Sequence, residues 1–382
     1  MYDILNYVSG FIWGPFTLIL ILGTGIFLSL GLKGFTLTYI AVAFKQLFSK
    51  EEDSSSGEIS SFQSLTTALS ATVGTGNIAG VATAIFVGGP GAIFWMWVSA
   101  VFGMATKFAE AFLAIKYREK NELGETIGGP MYYIKNGLTS KFIVFAYLFA
   151  TAGMIAALGI GNGVQVNSVS QVINNEFGFS TFSIGIVIAI LVALVILGGI
   201  KSIGNITSKL VPVMSLVYIL GGLLIIILNA NQVGYVFDLI VTSAFTTTAA
   251  TGGFAGATVW MALRYGVARG VFSNEAGLGS SPIAHAAAKT NNPVKQGMIS
   301  MLEPLIDTLI VCTITAFVIL MSNQWVGEIN GAVLTVASFE NLLANGKYIV
   351  IFGLILFSFS TIIGWSYYGE KCVEFLFGSG VI

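Results

Sequence analysis

Long apolar runs constrain the fold of this chain more strongly than any other feature of its sequence. A helix needs roughly 20 apolar residues to cross the hydrocarbon core of a bilayer, and runs of about that length recur along the chain. They predict nine spans, near residues 11–31, 62–86, 92–115, 142–170, 181–200, 210–229, 239–272, 297–322 and 347–369. The fold class predicted is therefore an all-α integral membrane protein.

The composition excludes the main classes of soluble protein. Charged residues make up 9% of the 382 residues and hydrophobic residues 55%, whereas a soluble domain carries roughly 25% charge. This composition excludes a soluble enzyme, a disordered protein and a nucleic-acid-binding protein. The net charge is −1, and no block of like charge indicates a nucleic acid or an acidic partner. The predicted surroundings are a lipid bilayer. Cys312 lies in an apolar run and is predicted to be a buried thiol rather than half of a disulfide.

The basic residues predict the direction in which the spans run. Lysine and arginine stay mostly on the cytoplasmic side of a membrane. If the N-terminus lies outside the cell, fifteen of the 17 basic residues fall on the cytoplasmic side, while Lys107 lies inside a span and Lys347 lies outside. We therefore expect a multi-pass protein of the cell membrane, with residues 1–382 forming a single transmembrane domain.

Two of the predicted spans, 62–86 and 239–272, carry glycine-rich interruptions near their middles. Paired broken helices in corresponding positions are typical of inverted-repeat transporters that bind their substrate at the breaks. In the first span, Gly74 and Gly76 flank Thr75 and weaken the helical hydrogen bonds there. Freed N–H groups suit a carboxylate and freed carbonyls suit Na⁺ or an ammonium group, and an amino acid needs both. The alternative is that these glycines serve only helix packing.

The second interruption has two candidate locations. The glycine-rich segment 252–256 lies close to the middle of its span, and the segment 273–277 lies near its end. We favour the first location, because the second would place Arg264 and Arg269 in the outer half of the membrane, against the distribution of the other basic residues. A third reading is an extracellular loop that precedes a shorter helix starting at Gly256.

Two long motifs, residues 70–92 and 266–277, resemble the alanine or glycine:cation symporters. The resemblance implies the fold of the amino acid–polyamine–cation superfamily, in which two five-helix repeats have inverted topology. The first repeat would be 62–229 and the second 239–382, with 11–31 as an extra N-terminal helix. Family members usually continue for two further spans, so we expect the last two core helices to be missing from this chain.

The resemblance also implies a substrate site and a sodium site. Backbone N–H groups at the first break would hold the carboxylate of alanine or glycine, and carbonyl and hydroxyl oxygens would hold the amino group. The substrate-binding residues expected are Thr72, Gly74, Thr75, Gly76, Asn77, Gln165, Thr251, Gly253, Phe254 and Trp365. The Na⁺ ligands expected are Ser70, Val73, Phe357, Ser360 and Thr361. Without the resemblance, the hydroxyls of Ser360 and Thr361 would be read as bonded to carbonyls one turn earlier.

Ionisable side chains inside the predicted spans have two possible roles. Lys107 and Glu110 lie three residues apart on one helix face and form a plausible buried pair, while Glu303 and Asp307 lie four apart. These groups could form a proton relay, but we favour structural pairing near the cytoplasmic end. His285 falls in a cytoplasmic segment and is expected to be solvated.

The function predicted is sodium-coupled symport of alanine or glycine by alternating access. Na⁺ is the coupling ion, and no other cofactor and no catalytic residue is expected. A proton-coupled amino acid transporter is the alternative, and an ion channel is disfavoured because no filter-like motif occurs. An intramembrane hydrolase is also disfavoured, since His285 is the only histidine and lies outside the spans.

Overall fold

The computed structural model describes residues 8, 10–49, 56–247 and 258–381, and these are almost entirely helical. The α-helices are Pro15–Gly31, Phe35–Thr38, Ile40–Leu47, Ser61–Thr72, Val81–Gly88, Gly91–Lys116, Pro130–Gly137, Ile143–Ala156, Val164–Phe177, Thr181–Ile196, Gly199–Leu228, Val233–Phe245, Val259–Asn274, Pro282–Ala286, Pro293–Ser300, Leu302–Pro304, Thr313–Ser322, Gly331–Leu342 and Lys347–Phe377. Three π-helical segments, Gly76–Gly80, Ala157–Gly163 and Leu305–Cys312, run into the α-helices beside them. Short 3₁₀ turns occur at Ser140–Phe142, Ala230–Gln232, Gln324–Val326 and Ser379–Val381. The strands Glu119–Lys120 and Thr126–Ile127 form a small antiparallel hairpin.

Six continuous helical stretches in the described ranges are long and apolar enough to cross a membrane. They are Gly10–Gly31, Gly91–Lys116, Ser140–Phe177, Gly199–Leu228, Pro293–Ser322 and Lys347–Phe377. Ser61–Thr72 and Gly76–Gly88 together form a seventh, bent span, while Thr181–Ile196 is apolar but shorter. These helices confirm the prediction of an all-α membrane protein.

The spans differ in how much of their surface the protein itself covers. Gly91–Lys116, Pro293–Ser322 and Lys347–Phe377 are mostly buried, whereas Gly10–Gly31 and Ser140–Phe177 are mostly exposed. Exposed apolar side chains on the latter pair suit contact with lipid tails. Each of the three buried helices packs against the bent span, and residues 73–78 at its bend are buried.

The bend in the first of the two glycine-rich spans has local causes. Ser61–Thr72 begins at a capping box, in which Ser60 Oγ accepts from the Gln63 N–H and Gln63 Oε1 accepts from the Ser60 N–H. The helix ends at Val73, whose backbone is extended (ψ 93°), and the axis bends by 51° before Gly76–Gly88. The interruption predicted around Thr75 is therefore confirmed.

The second predicted span, 239–272, contains parts of two helices, and the described residues do not test whether these form one broken span. Val233–Phe245 ends where Thr246 becomes extended, and Val259–Asn274 begins where Thr258 Oγ1 accepts from the Met261 N–H. The cap at Thr258 starts a new helix instead of continuing the earlier one. The favoured break at 252–256 falls in 248–257, which lie outside the described residues.

The location that the sequence argument ranked second is interrupted in the structure. Val259–Asn274 ends at Glu275, which adopts a left-handed conformation (φ 57°), and a short helix resumes only at Pro282–Ala286. Both arginines of this helix have local partners. The Nε of Arg264 donates to the carbonyl of Trp13 (3.0 Å), and the guanidinium of Arg269 lies over the Phe272 ring.

Candidate functional site

The bend at residues 73–75 turns backbone N–H groups away from the helix and towards side-chain oxygens. The Gly74 N–H donates to Asn77 Oδ1 (2.9 Å), and the Thr75 N–H donates to Gln165 Oε1 (3.2 Å). Gly74, Thr75 and Asn77 are all buried. An N–H that meets a side chain from another helix can exchange that partner for a ligand oxygen without breaking a helical bond.

Gln165 reaches the bend from a different span. It lies in Val164–Phe177, directly after the π-helical segment Ala157–Gly163, and is 3% exposed. Its Nε2 donates to the Ile160 carbonyl (3.3 Å), which orients its Oε1 towards Thr75. The structure thus brings Gln165 together with Thr75, two residues that we expected in the substrate site.

The five expected sodium ligands come from the bent span and from Lys347–Phe377. Thr361 Oγ1 donates across to the Val73 carbonyl (3.3 Å), so this hydroxyl is not bonded within its own helix in the way that the alternative reading required. Ser360 Oγ does bond back, to the Phe357 carbonyl (2.9 Å), and Ser70 Oγ bonds to the Thr67 carbonyl (2.7 Å). The structure therefore brings the Thr361 hydroxyl of one helix against the Val73 carbonyl of the other, while the Ser360 and Ser70 hydroxyls bond within their own helices.

Thr72 and Trp365, two further residues expected to bind the substrate, contact other parts of the protein. Thr72 Oγ1 donates to the carbonyls of Ala68 and Leu69 in its own helix. Trp365 is buried and packs on the π-helical segment Ala157–Gly163, where a methyl group added to Gly161 would lie 2.4 Å from Trp365 Cβ. Trp365 therefore packs against the turn of helix that precedes Gln165 in the sequence.

The expected residues Thr251, Gly253 and Phe254 lie outside the described residues. Ser273, near the end of Val259–Asn274, lies beside the bend. Its Cα would be 3.3 Å from a methyl group added to Gly76. Sequence reasoning did not assign Phe272, Ser273 or Asn274 to the site. A signal for them existed, since the second family-like motif covers residues 266–277.

A buried polar cluster adjoins the bend on the side of Leu305–Cys312. Asn77 Nδ2 donates to Asp307 Oδ1 (2.6 Å), and Thr308 Oγ1 is 2.7 Å from Asp307 Oδ2. Asn274 Nδ2 donates to Thr308 Oγ1 (3.0 Å). Cys312 is a buried free thiol, as predicted, and accepts from Asn77 Nδ2 (3.3 Å). The cluster links both interrupted helices to the π-helical segment.

The ionic contacts of Lys107 and His285 differ from those expected. The Lys107 ammonium pairs with Glu303 (2.9 Å) and not with Glu110, whose Oε1 accepts from the backbone N–H of Gly279 (3.1 Å). His285 is fully buried, with Nε2 2.6 Å from Glu303, so the prediction of a solvated histidine is wrong. The short helix after the second interruption turns this side chain inwards instead of towards water.

A cavity of about 260 Å³ lies beside Val259–Asn274. It is lined by Trp13, Ile160, Arg264, Tyr265, Ala268, Arg269 and Phe272. The Phe272 ring would lie 3.5 Å from a methyl group on Gly76. The aromatic ring therefore separates this basic cavity from the bend.

Comparisons with known proteins support an assignment to a transporter family. A family model described as the sodium:alanine symporter family matches residues 1–382. The sodium/alanine symporter AgcS of Methanococcus maripaludis is 51% identical over 99% of this chain and 84% of its own length. An uncharacterised transporter of Haemophilus influenzae is 48% identical over 98% of this chain and 83% of its own. The amino-acid carrier protein AlsT of Bacillus subtilis is 36% identical over 98% of this chain and 78% of its own.

Proposed function

The chain belongs to the sodium:alanine symporter family, and from this premise we propose that it couples uptake of alanine or glycine to entry of Na⁺. The observation that carries the proposal is the bend at residues 73–75, where a backbone N–H faces Gln165 and a backbone carbonyl faces Thr361. One donor and one acceptor within a few residues of each other suit a zwitterion and a cation.

The substrate carboxylate would replace the side-chain oxygen of Gln165 at the bend. Gln165 Oε1 accepts from the Thr75 N–H, and a carboxylate oxygen is a stronger acceptor for the same donor. The Gly76 N–H would donate to the second oxygen, and the carbonyl of Thr72 would accept from the amino group. Trp365 would limit the side chain to that of alanine or glycine. Thr251, Gly253 and Phe254 remain proposed contacts on the opposite side.

The sodium ion would take the place of the hydrogen bond between Thr361 and Val73. Na⁺ is a hard cation that prefers oxygen ligands. The carbonyls of Ser70, Val73 and Phe357 and the hydroxyls of Ser360 and Thr361 form such a set. Because the ligands come from the bent span and from Lys347–Phe377, a bound ion would hold these helices together.

Alternating access would follow from the enclosed position of the bend. Residues 73–76 are buried among the described residues, so we propose that the substrate reaches them when part of the molecule moves. We propose that residues 62–229 and 239–382 are inverted repeats that rock against each other around the breaks, with the N-terminus outside the cell. A transporter coupled to protons instead of Na⁺ is the alternative.

The experiment that tests the function is uptake of labelled alanine into proteoliposomes, with and without an inward sodium gradient. We expect the gradient to stimulate uptake. Thr361→Ala should raise the sodium concentration for half-maximal uptake by about tenfold or more, since loss of one charge-assisted ligand costs roughly 1.5–3 kcal/mol. Thr361→Ser keeps the hydroxyl and should stay close to the wild type. Alanine uptake at the same rate with and without the sodium gradient would refute sodium coupling. Absence of alanine uptake under both conditions would refute alanine as the substrate.

A further inference from the structure

We propose that Asp307 binds a proton that is exchanged during transport, so that the site couples to H⁺ as well as to Na⁺. The inference rests on the proposed function, because it concerns the coupling ions of the same amino acid site. Asp307 is fully buried in Leu305–Cys312, in the interior of the Pro293–Ser322 span.

The hydrogen bonds of Asp307 come from neutral groups. Asn77 Nδ2 donates to Oδ1, and the hydroxyl of Thr308 lies within hydrogen-bond distance of Oδ2. Heavy-atom positions leave the direction of the second bond open, so a protonated Oδ2 can donate to Thr308 Oγ1 instead. The cluster can therefore hold the carboxyl group in its neutral form without losing a hydrogen bond.

No cationic side chain contacts Asp307 within residues 10–49, 56–247 and 258–381. Lys107 is close enough to interact with Asp307 electrostatically. Its ammonium, however, pairs with Glu303 and donates to Ser281 Oγ (2.7 Å). An ionised carboxylate without a cationic partner is expensive inside a membrane protein. A bound proton removes this charge.

The other titratable groups around Leu305–Cys312 do not supply a counter-charge. Cys312 and Tyr218 are neutral side chains, and the Tyr218 hydroxyl bonds to Thr315 Oγ1 (2.8 Å). Glu275, at the end of Val259–Asn274, carries the same sign as Asp307 and is bonded to Ser280. These neighbours either favour the neutral form of the Asp307 carboxyl group or have no effect on its protonation.

Asn77 connects this carboxyl group to the substrate site. Its Oδ1 accepts from the Gly74 N–H at the bend, and its Nδ2 donates to Asp307. A substrate carboxylate at Thr75 and an ionised Asp307 would be two negative charges on either side of one amide. Substrate binding should therefore favour protonation of Asp307, and protonation should favour substrate binding by the same factor.

The test uses the purified full chain in weakly buffered detergent solution with a pH indicator and saturating Na⁺. Addition of alanine should cause proton uptake from solution at some pH between about 6 and 9, approaching one proton per protein. Asp307→Asn should abolish this uptake. Asp238→Asn, the same chemical change at an exposed carboxyl group, should leave it unchanged. In proteoliposomes, wild-type alanine uptake should fall by about tenfold as pH rises across the titration, and the Asp307→Asn rate should be flat.

Each outcome decides the proposal. Wild-type protein that takes up alanine with Na⁺ but shows no alanine-induced proton uptake at any pH would overturn it and leave the proposed function intact. Wild-type proton uptake that persists in Asp307→Asn would assign the proton elsewhere and also overturn it. A shifted sodium dependence in Asp307→Asn, with an unchanged pH profile, would show that Asp307 holds Na⁺ instead. Should Asp307→Asn fail to fold, Asp307→Glu keeps a titratable group at this position and should shift the pH at which alanine causes proton uptake; an unshifted pH would overturn the proposal.

Discussion

At the scale of single residues, Gly74 determines how closely the parts of the candidate site approach each other. Its Cα faces the side chains of Thr361 and Gln165, which come from two different helices. Both side chains bond to backbone groups of its neighbours, at Val73 and Thr75. A larger residue would separate the proposed sodium ligands from the proposed carboxylate donors.

Gly74→Ala should therefore impair transport while leaving the bend itself in place. The added methyl group would lie 2.5 Å from Thr361 Oγ1 and 3.3 Å from Gln165 Oε1. Overpacking of this kind costs about 1–3 kcal/mol, which corresponds to a loss of roughly tenfold or more in sodium affinity. The measurement is sodium-driven alanine uptake as a function of sodium concentration.

The matched control for this change is Gly80→Ala, later in the same bent span. There the nearest atom to an added methyl group is the Thr75 carbonyl oxygen, at 3.9 Å. We expect its sodium dependence to match the wild type. Equal effects of the two substitutions would mean that helix flexibility, and not the contact with Thr361, explains the loss.

Residue spacing predicted some contacts of the site but not others. The bend at Thr75 follows from two flanking glycines, which are visible in the sequence. The partner of Lys107 could not be predicted, because periodicity reports only neighbours on one helix, and Glu303 lies on another. Likewise, nothing local to His285 shows that its helix packs inwards against Glu303. Contacts between helices depend on tertiary packing, which one sequence does not encode by spacing.

At the scale of helices, the positions of interruptions depend on caps as well as on glycine content. Glycine-rich segments occur both at 252–256 and near Gly277 and Gly279. The cap at Thr258 and the left-handed Glu275 define a separate 16-residue helix between these two segments. The glycines therefore predicted that the region is interrupted, but they did not show which interruption faces the first bend.

The contact between Ala157–Gly163 and Lys347–Phe377 should be sensitive to side-chain volume at Gly161. A methyl group there would lie 2.4 Å from Trp365 Cβ, so Gly161→Ala should destabilise the protein by about 1–3 kcal/mol. Gly159→Ala, in the same π-helical segment, meets nothing within 4 Å and should have little effect. Thermal unfolding of both variants in detergent measures the difference. A Gly161→Ala variant as stable as Gly159→Ala would show that the two helices separate freely.

At the scale of the whole molecule, a buried ionic network joins segments that are distant in the sequence. Glu303 lies between the ammonium of Lys107 and the imidazole of His285, and all three side chains are fully buried. His285 Nδ1 is 2.6 Å from Gln296 Nε2, and Gln296 Nε2 also donates to Ser64 Oγ (2.8 Å). The network thus links the first half of the bent span to Gly91–Lys116, to the helix after the second interruption, and to Pro293–Ser322.

Removing the central carboxylate of this network should destabilise the protein far more than removing an exposed one. Glu303→Gln leaves the Lys107 ammonium buried without its counter-ion, and breaking a buried pair in this way costs about 3–5 kcal/mol. Glu176→Gln breaks the solvent-accessible pair with Lys347 and should change the unfolding midpoint little, because water and salt screen such pairs. The double substitution Lys107→Met and Glu303→Gln should recover part of the loss, because no uncompensated ammonium remains. Unfolding midpoints measured in detergent test all three variants. Equal midpoints for Glu303→Gln and Glu176→Gln would contradict the prediction that the network holds the bent span to the other helices.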